Sequence, residues 1–149
     1  MKKLFIYFSL SGNGEYVADY LSTKGYEIRR IYKKKQKDNK KPGFFTILGG
    51  GMLAGFNHKA MIKEFDTNIE GYDEIAIGSP IWNGKFSCPI NTVLSKLDLK
   101  DKKLHFIFYS GSGTAPKASE RVIKEYPNSR ITVIKEPKTH DGEIRKIEL

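Results

Sequence analysis

Near the start of the chain an apolar run leads into YFSLSGNGEY, Tyr7 to Tyr16. Ser9 and Ser11 offer hydroxyls and Asn13 an amide, while Gly12 and Gly14 let backbone N–H groups approach a ligand and turn inward. Followed by a helix, whose first N–H groups and dipole add to the set, such a nest suits a compact oxyanion such as a monophosphate. A triphosphate loop would need the lysine of G-x-x-x-x-G-K-[ST], absent here. A dinucleotide loop would need G-x-G-x-x-G, and GNGEYV has valine at the last glycine. Taken alone, the stretch also describes a helix entry with a polar turn.

Two further loops carry unusual chemistry. In GSPIWNGKF, Gly78 to Phe86, Trp82 lies beside an Asn-Gly pair that favours a turn. A tryptophan is most often core, but Pro80, Asn83 and Gly84 point to a loop, where a large aromatic suits a flat heterocycle packed against it. In YSGSGTA, Tyr109 to Ala115, the small residues expose backbone donors fit for the edge of a polar ring, although read singly it is only a glycine turn. One phosphate site, one flat ring contact and one edge contact together favour a mononucleotide-like cofactor.

No general acid or base is evident. His58, His105 and His140 are isolated, and His105 lies in a strand pattern as a packed or hydrogen-bonded residue. Cys88 stands near a helix start, where a thiol pKa can fall, but it has no partner cysteine or obvious base in the sequence and reads as structural.

These loops need elements to hold them. Leu4 to Phe8, Ile75 to Gly78, Leu104 to Tyr109 and Ile131 to Ile134 are apolar runs without polar alternation, as in strands of a parallel sheet covered on both faces. Tyr26 to Ile31 is a more mixed candidate near an edge. Helical spacing sets Val17, Tyr20 and Leu21 on one stripe, Ile90, Val93, Leu94 and Leu97 on a second, and Val122, Ile123 and Tyr126 on a third. Gly25 and Pro127 serve as stops. The alternation makes a doubly wound α/β sandwich, in which ligands bind beyond the carboxyl ends of the strands where the winding reverses.

An insert at about 33–59 breaks the rhythm. It is first lysine-rich, then apolar and glycine-rich in GFFTILGGGMLAGF, with a short helix expected near HKAMIKEF. Phe44, Phe45, Ile47, Leu48, Met52, Leu53 and Phe56 are unsuited to face water together and suggest cover for a pocket, a partner or a membrane interface. The tail ends either in a brief helix from Gly142 or with its face covered by something else.

The 149 residues read as one domain, 1–149. A single cysteine fits a reducing, cytoplasmic setting. MKKLFIYFSL lacks a small-residue cleavage site and reads as a strand rather than a signal peptide. No segment approaches a membrane span. The formal charge of +9 can steer acidic partners, nucleic acid or an anionic membrane, and part of it sits in RRIYKKKQKDNKK, Arg29 to Lys41. A nucleic-acid module is disfavoured, because no recognition motif accompanies the lysines. The lysines and the apolar insert together could touch an anionic membrane.

YFSLSGNGEYVADYL, IAIGSPIWNGKFSCPINTVLSKLD and FYSGSGT, in this order and spacing, resemble the flavodoxin family from Lys2 to about Ile134. The resemblance implies a five-stranded parallel sheet of order 2-1-3-4-5 in a three-layer sandwich, with FMN as cofactor and no metal. It would place Ser9, Ser11, Gly12, Asn13 and Gly14 around the phosphate. Ser79, Pro80, Ile81, Trp82, Asn83 and Gly84 would meet the ring, and Ser110, Gly111, Ser112 and Gly113 would line its pyrimidine edge. Gly14 stands where the family commonly has threonine or serine, which implies one missing hydroxyl contact. Electron transfer through bound flavin is the implied function, with an FMN-dependent NAD(P)H or quinone oxidoreductase as the alternative. Soluble carriers of the family are usually acidic, whereas this chain is basic, so its redox partner or reductase is expected to be acidic. The peptide between Asn83 and Gly84 is expected to reorient so that its carbonyl accepts a hydrogen bond from the reduced flavin.

Overall fold

The computed structural model describes residues 1–35 and 59–149. Its centre is a parallel sheet of β1 (Lys3–Tyr7), β2 (Tyr26–Arg30), β3 (Glu74–Trp82), β5 (Lys103–Ser110) and β6 (Arg130–Lys135), in the order β2-β1-β3-β5-β6. This is the expected 2-1-3-4-5 order, with one addition. A short strand, β4 (Lys85–Phe86), pairs antiparallel with the end of β3.

The lack of polar alternation has a direct cause. Leu4, Ile6 and Phe8 enter one core, while Phe5 and Tyr7 enter the other, because successive side chains of a strand point to opposite faces. Both faces are covered. Helices α2 (Cys88–Lys96) and α3 (Pro116–Glu125) lie on one side, contributing Ile90, Val93, Ala118 and Val122. Helix α1 (Asn13–Ser22) lies on the other, contributing Val17, Ala18 and Leu21. Each of the fully buried aliphatic side chains stabilises this sandwich by about 1.5–3 kcal/mol.

Several boundaries differ from the sequence reading. Ile123, expected on the buried stripe of α3, is exposed; Val122 and Ala118 carry that contact. The helix expected near His58 to Phe65 is not formed over 59–65. There Ile62 bridges Lys33 antiparallel, Lys34 N donates to Met61 O at 3.0 Å and Lys63 N donates to Tyr32 O at 2.8 Å. The two ends of the insert are thus zipped together, and Thr92 Oγ1 of α2 fastens the returning strand by accepting from Ala60 N at 2.9 Å. The apolar part of the insert, from Phe44 to Phe56, lies outside the described residues. The tail closes with a 3-10 stretch, Asp141–Lys146, rather than a full helix; Ile147 behind it is buried on the α1 side, with Ile144 packed beside it.

Candidate cofactor site

The winding reverses between β1 and β3, whose neighbours lie in opposite directions along the sheet. The loops after β1, β3 and β5 all leave from this edge. They touch one another: Phe8 N donates to Gly78 O at 3.2 Å, Phe8 meets Trp82 edge to face at 5.8 Å between centroids, and the Tyr109 hydroxyl donates to Phe8 O.

The first loop is an anion nest. Gly12 takes φ +93°, a conformation that favours glycine, and so becomes the N-cap of α1. That turn aims two amides at one oxygen: Gly12 N and Gly14 N donate to Ser9 Oγ at 3.3 and 3.1 Å. Ser9 is buried and Ser11 is exposed. Asn13 Nδ2 donates to Ser11 Oγ at 3.1 Å. Both donors are taken by the Ser9 hydroxyl, which holds the loop as a glycine turn at a helix N-terminus; the remaining N–H groups of the first turn of α1 are the donors that suit a phosphate, so the residues present fit a monophosphate.

Gly14 is explained by crowding. A Cβ built there would lie 2.6 Å from Ser9 Cβ, 2.6 Å from Tyr7 Cδ2 and 2.8 Å from Tyr109 Oη. The space where a threonine was expected is therefore filled by two tyrosines. Burial, with Glu15 a secondary contribution, holds the Tyr109 phenol well above its ordinary pKa, which keeps it a donor fixed to the Phe8 carbonyl.

The second loop is a hairpin rather than an open excursion. Asn83 (φ +50°) and Gly84 (φ +77°) make a two-residue turn in which both residues are left-handed, joining Trp82 to its partner Lys85; this is the type I′ geometry that Asn-Gly prefers. The ring of Trp82 is partly buried, rests on the core with Ile81, and carries the Lys33 ammonium 5.6 Å from its centroid. Pro80 is also partly buried and Asn83 is exposed. Ser79 differs from the expected ring-facing role: its buried hydroxyl accepts from Ser87 N at 3.1 Å and lies 3.1 Å from Ser87 Oγ, bolting β3 to the start of α2.

In the third loop Ser110 is buried and its Oγ donates to Thr114 O at 3.0 Å, while Gly111 and Ser112 are exposed. Ser112 Oγ accepts from Thr114 N at 3.2 Å, and Gly113 takes φ +77°. Ser110 and Ser112 thus shape the loop, leaving the exposed tip at Gly111 and Ser112 to meet a ligand.

Four lysines border these loops and were not singled out from sequence. Lys138 lies over Gly12, Lys117 against Gly84, Lys135 against Gly113, and Lys33 over Trp82. They come from three separated segments, with Lys135 and Lys138 both at the end of β6, so no motif within the loops themselves joins them. Among the described residues none of the four forms an ion pair.

The remaining candidates lie elsewhere. Burial pushes the Cys88 thiol up, outweighing the lowering by the Lys33 charge, and Cys88 is buried. His105 is buried, with Nε2 2.8 Å from Thr132 Oγ1. Among the described residues no group of three His, Cys, Asp or Glu could hold a metal, and no helix is long and apolar enough to cross a membrane.

Residues 52–149 match the family model described as flavodoxin. Among solved structures, the chain is similar to a protein from Bacteroides eggerthii assigned as a flavoprotein, at 23% identity and TM-score 0.71 over 95% of this chain and 94% of that one. It is similar to a Lactobacillus acidophilus flavoprotein solved in complex with FMN, at 22% identity and TM-score 0.65 over 95% and 97% of the two chains. Flavodoxin 1 from Bacillus cereus matches at 15% identity and TM-score 0.52 over the whole of both chains. No curated protein matches. At these identities the solved structures bear on the fold.

Proposed function

The chain belongs to the flavodoxin family, and from that premise we propose that it is an FMN-binding redox protein that passes electrons through the bound flavin. The observation that carries this reading is the glycine turn at the start of α1, held in shape by Gly12 N and Gly14 N on Ser9 Oγ, beside the loop that presents Trp82. The FMN complex of the Lactobacillus acidophilus flavoprotein supports the choice of cofactor.

FMN would supply the electron chemistry; the protein supplies position and electrostatics. Ser9, Ser11, Gly12, Asn13 and Gly14 would hold the phosphate, chiefly through backbone donors. Pro80, Ile81, Trp82, Asn83 and Gly84 would border the ring, with Ser79 acting from behind through Ser87. The tip of the loop Ser110, Gly111, Ser112 and Gly113 would meet the ring edge. Lysines at every one of these loops make the surroundings electropositive, which fits an acidic redox partner that docks over the exposed ring.

Identification of the flavin tests the reading. The purified protein is expected to be yellow and to release FMN, not FAD, on denaturation. A colourless protein that takes up no FMN would overturn it. A reductase reading is favoured by one observation, the contact of Lys33 with Trp82, which brings the neck of the insert to the proposed ring site. Turnover with NADH or NADPH and a quinone separates the two: a carrier is slow without a reductase, and a reductase is not.

A further inference from the structure

Resting on the flavin reading above, we propose that Lys138 is the counter-charge of the cofactor phosphate, delivered to the glycine loop from the far end of the chain. The loop Ser9 to Gly14 has no basic residue of its own. Lys138 reaches it from the turn after β6 and is held there twice. Its backbone N donates to Asn13 Oδ1 at 3.1 Å, and its Nζ donates to Ser11 O at 3.3 Å. Its side chain lies along Gly12, where an added Cβ would be 3.1 Å from both Cδ and Nζ.

The turn that presents Lys138 is itself fixed. Thr139 N and His140 N each donate to Glu136 O at 3.0 Å, and Glu136 N donates to Ser110 O at 3.2 Å. The turn therefore spans the phosphate loop and the third loop, and places a cation at the first. The acids nearby leave that charge uncompensated. Glu15 pairs with Arg30, and the Glu136 carboxylate lies towards Gly111. With Ser11 O as its acceptor, the ammonium can exchange a neutral oxygen for an anionic one, a stronger partner at shorter range. The uncharged ring gains nothing from Lys138, so the residue should select phosphorylated flavin over riboflavin.

Flavin-fluorescence titration of wild type, Lys138→Gln and Lys138→Arg with FMN and with riboflavin tests this. Lys138→Gln is expected to weaken FMN binding about tenfold, the scale of one charge-assisted hydrogen bond. Riboflavin affinity should be unchanged, and Lys138→Arg should keep most of the FMN affinity. The salt dependence of FMN binding should also flatten in Lys138→Gln. Equal affinities of wild type and Lys138→Gln for FMN would overturn the assignment while leaving the cofactor reading intact. A parallel loss for both flavins would overturn it too, by showing that Lys138 only shapes the loop. Failure of wild type to bind FMN at all would sink the cofactor reading, and the assignment with it.

Discussion

The two edges of the sheet are built on opposite electrostatic plans. At the amino edge, charges meet their partners inside the protein. Glu74 accepts from Arg130 Nη2 at 2.8 Å and from the Tyr26 hydroxyl, and Glu27 accepts from the Tyr72 hydroxyl while pairing with Lys2 at 3.5 Å. At the carboxyl edge, Lys33, Lys117, Lys135 and Lys138 lie along glycines and Trp82 with no carboxylate opposite among the described residues. One edge is closed on itself, and the other leaves positive charge and backbone donors for something that arrives. The overall charge of +9 is thus less informative than where the unpaired part of it stands.

The largest test of this contrast is Gly14→Thr. On sequence grounds the substitution would restore a hydroxyl and tighten the phosphate loop. With Tyr7, Ser9 and Tyr109 within 2.6–2.8 Å of the new Cβ, it should instead overpack a rigid site, lowering stability by about 3 kcal/mol in chemical denaturation and abolishing FMN uptake. A variant of wild-type stability that binds FMN more tightly would show that the tyrosines yield and that the carboxyl edge is looser than drawn.

The next test belongs to the amino edge. Burial, with the Arg130 charge second, lowers the His105 pKa from 6.5 to about 4. Between those values the unfolded chain takes up a proton that the folded chain refuses, so stability is whole above about pH 6.5 and falls as the pH drops towards 4. The loss should reach about 3 kcal/mol, and His105→Gln should flatten the slope over that window. FMN affinity near neutral pH should not respond, because His105 is at the edge away from the loops. An unchanged slope in His105→Gln would assign the acid sensitivity to other groups.

The difference between the edges also explains what could be read from residues alone. The sandwich was legible because Leu4 to Phe8 is apolar at every position and Leu104 to Tyr109 at every position but His105, without the polar alternation of a strand covered on one face. The nest was legible because its donors are contiguous. The extension of β3 to Trp82 was not, since Ile81 and Trp82 become strand only by pairing with Phe86 and Lys85 across a turn that looked like loop. Lys138 was invisible for a topological reason. A lysine was sought inside the loop, whereas the fold brings one from a turn after the last strand. The absent hydroxyl at Gly14 was legible but the crowding that excludes it was not, because Tyr109, one of the two tyrosines that fill the space, lies on β5, two strands from β1 and far away in sequence.

The smallest effect is expected at Gly84, and it sharpens the account of the ring loop. In the hairpin seen here both Asn83 and Gly84 have positive φ. Turning over the peptide between them converts type I′ to type II′, in which the first residue keeps φ above zero and the second becomes negative. An alanine at 84 is strained only in the first form, by about 1–2 kcal/mol; the nearby Lys117 side chain, 3.2 Å from the added Cβ, can move aside. Gly84→Ala should therefore cost about 1 kcal/mol of stability. It should also bias the hairpin towards the reoriented peptide. If that peptide responds to the redox state of bound flavin, the separation of the two one-electron potentials should shift by on the order of 50 mV, as read by redox titration of both proteins. Equal separations would show that the Asn83–Gly84 peptide stays as it is through the redox cycle, and the turn would then be a fixed wall of the site.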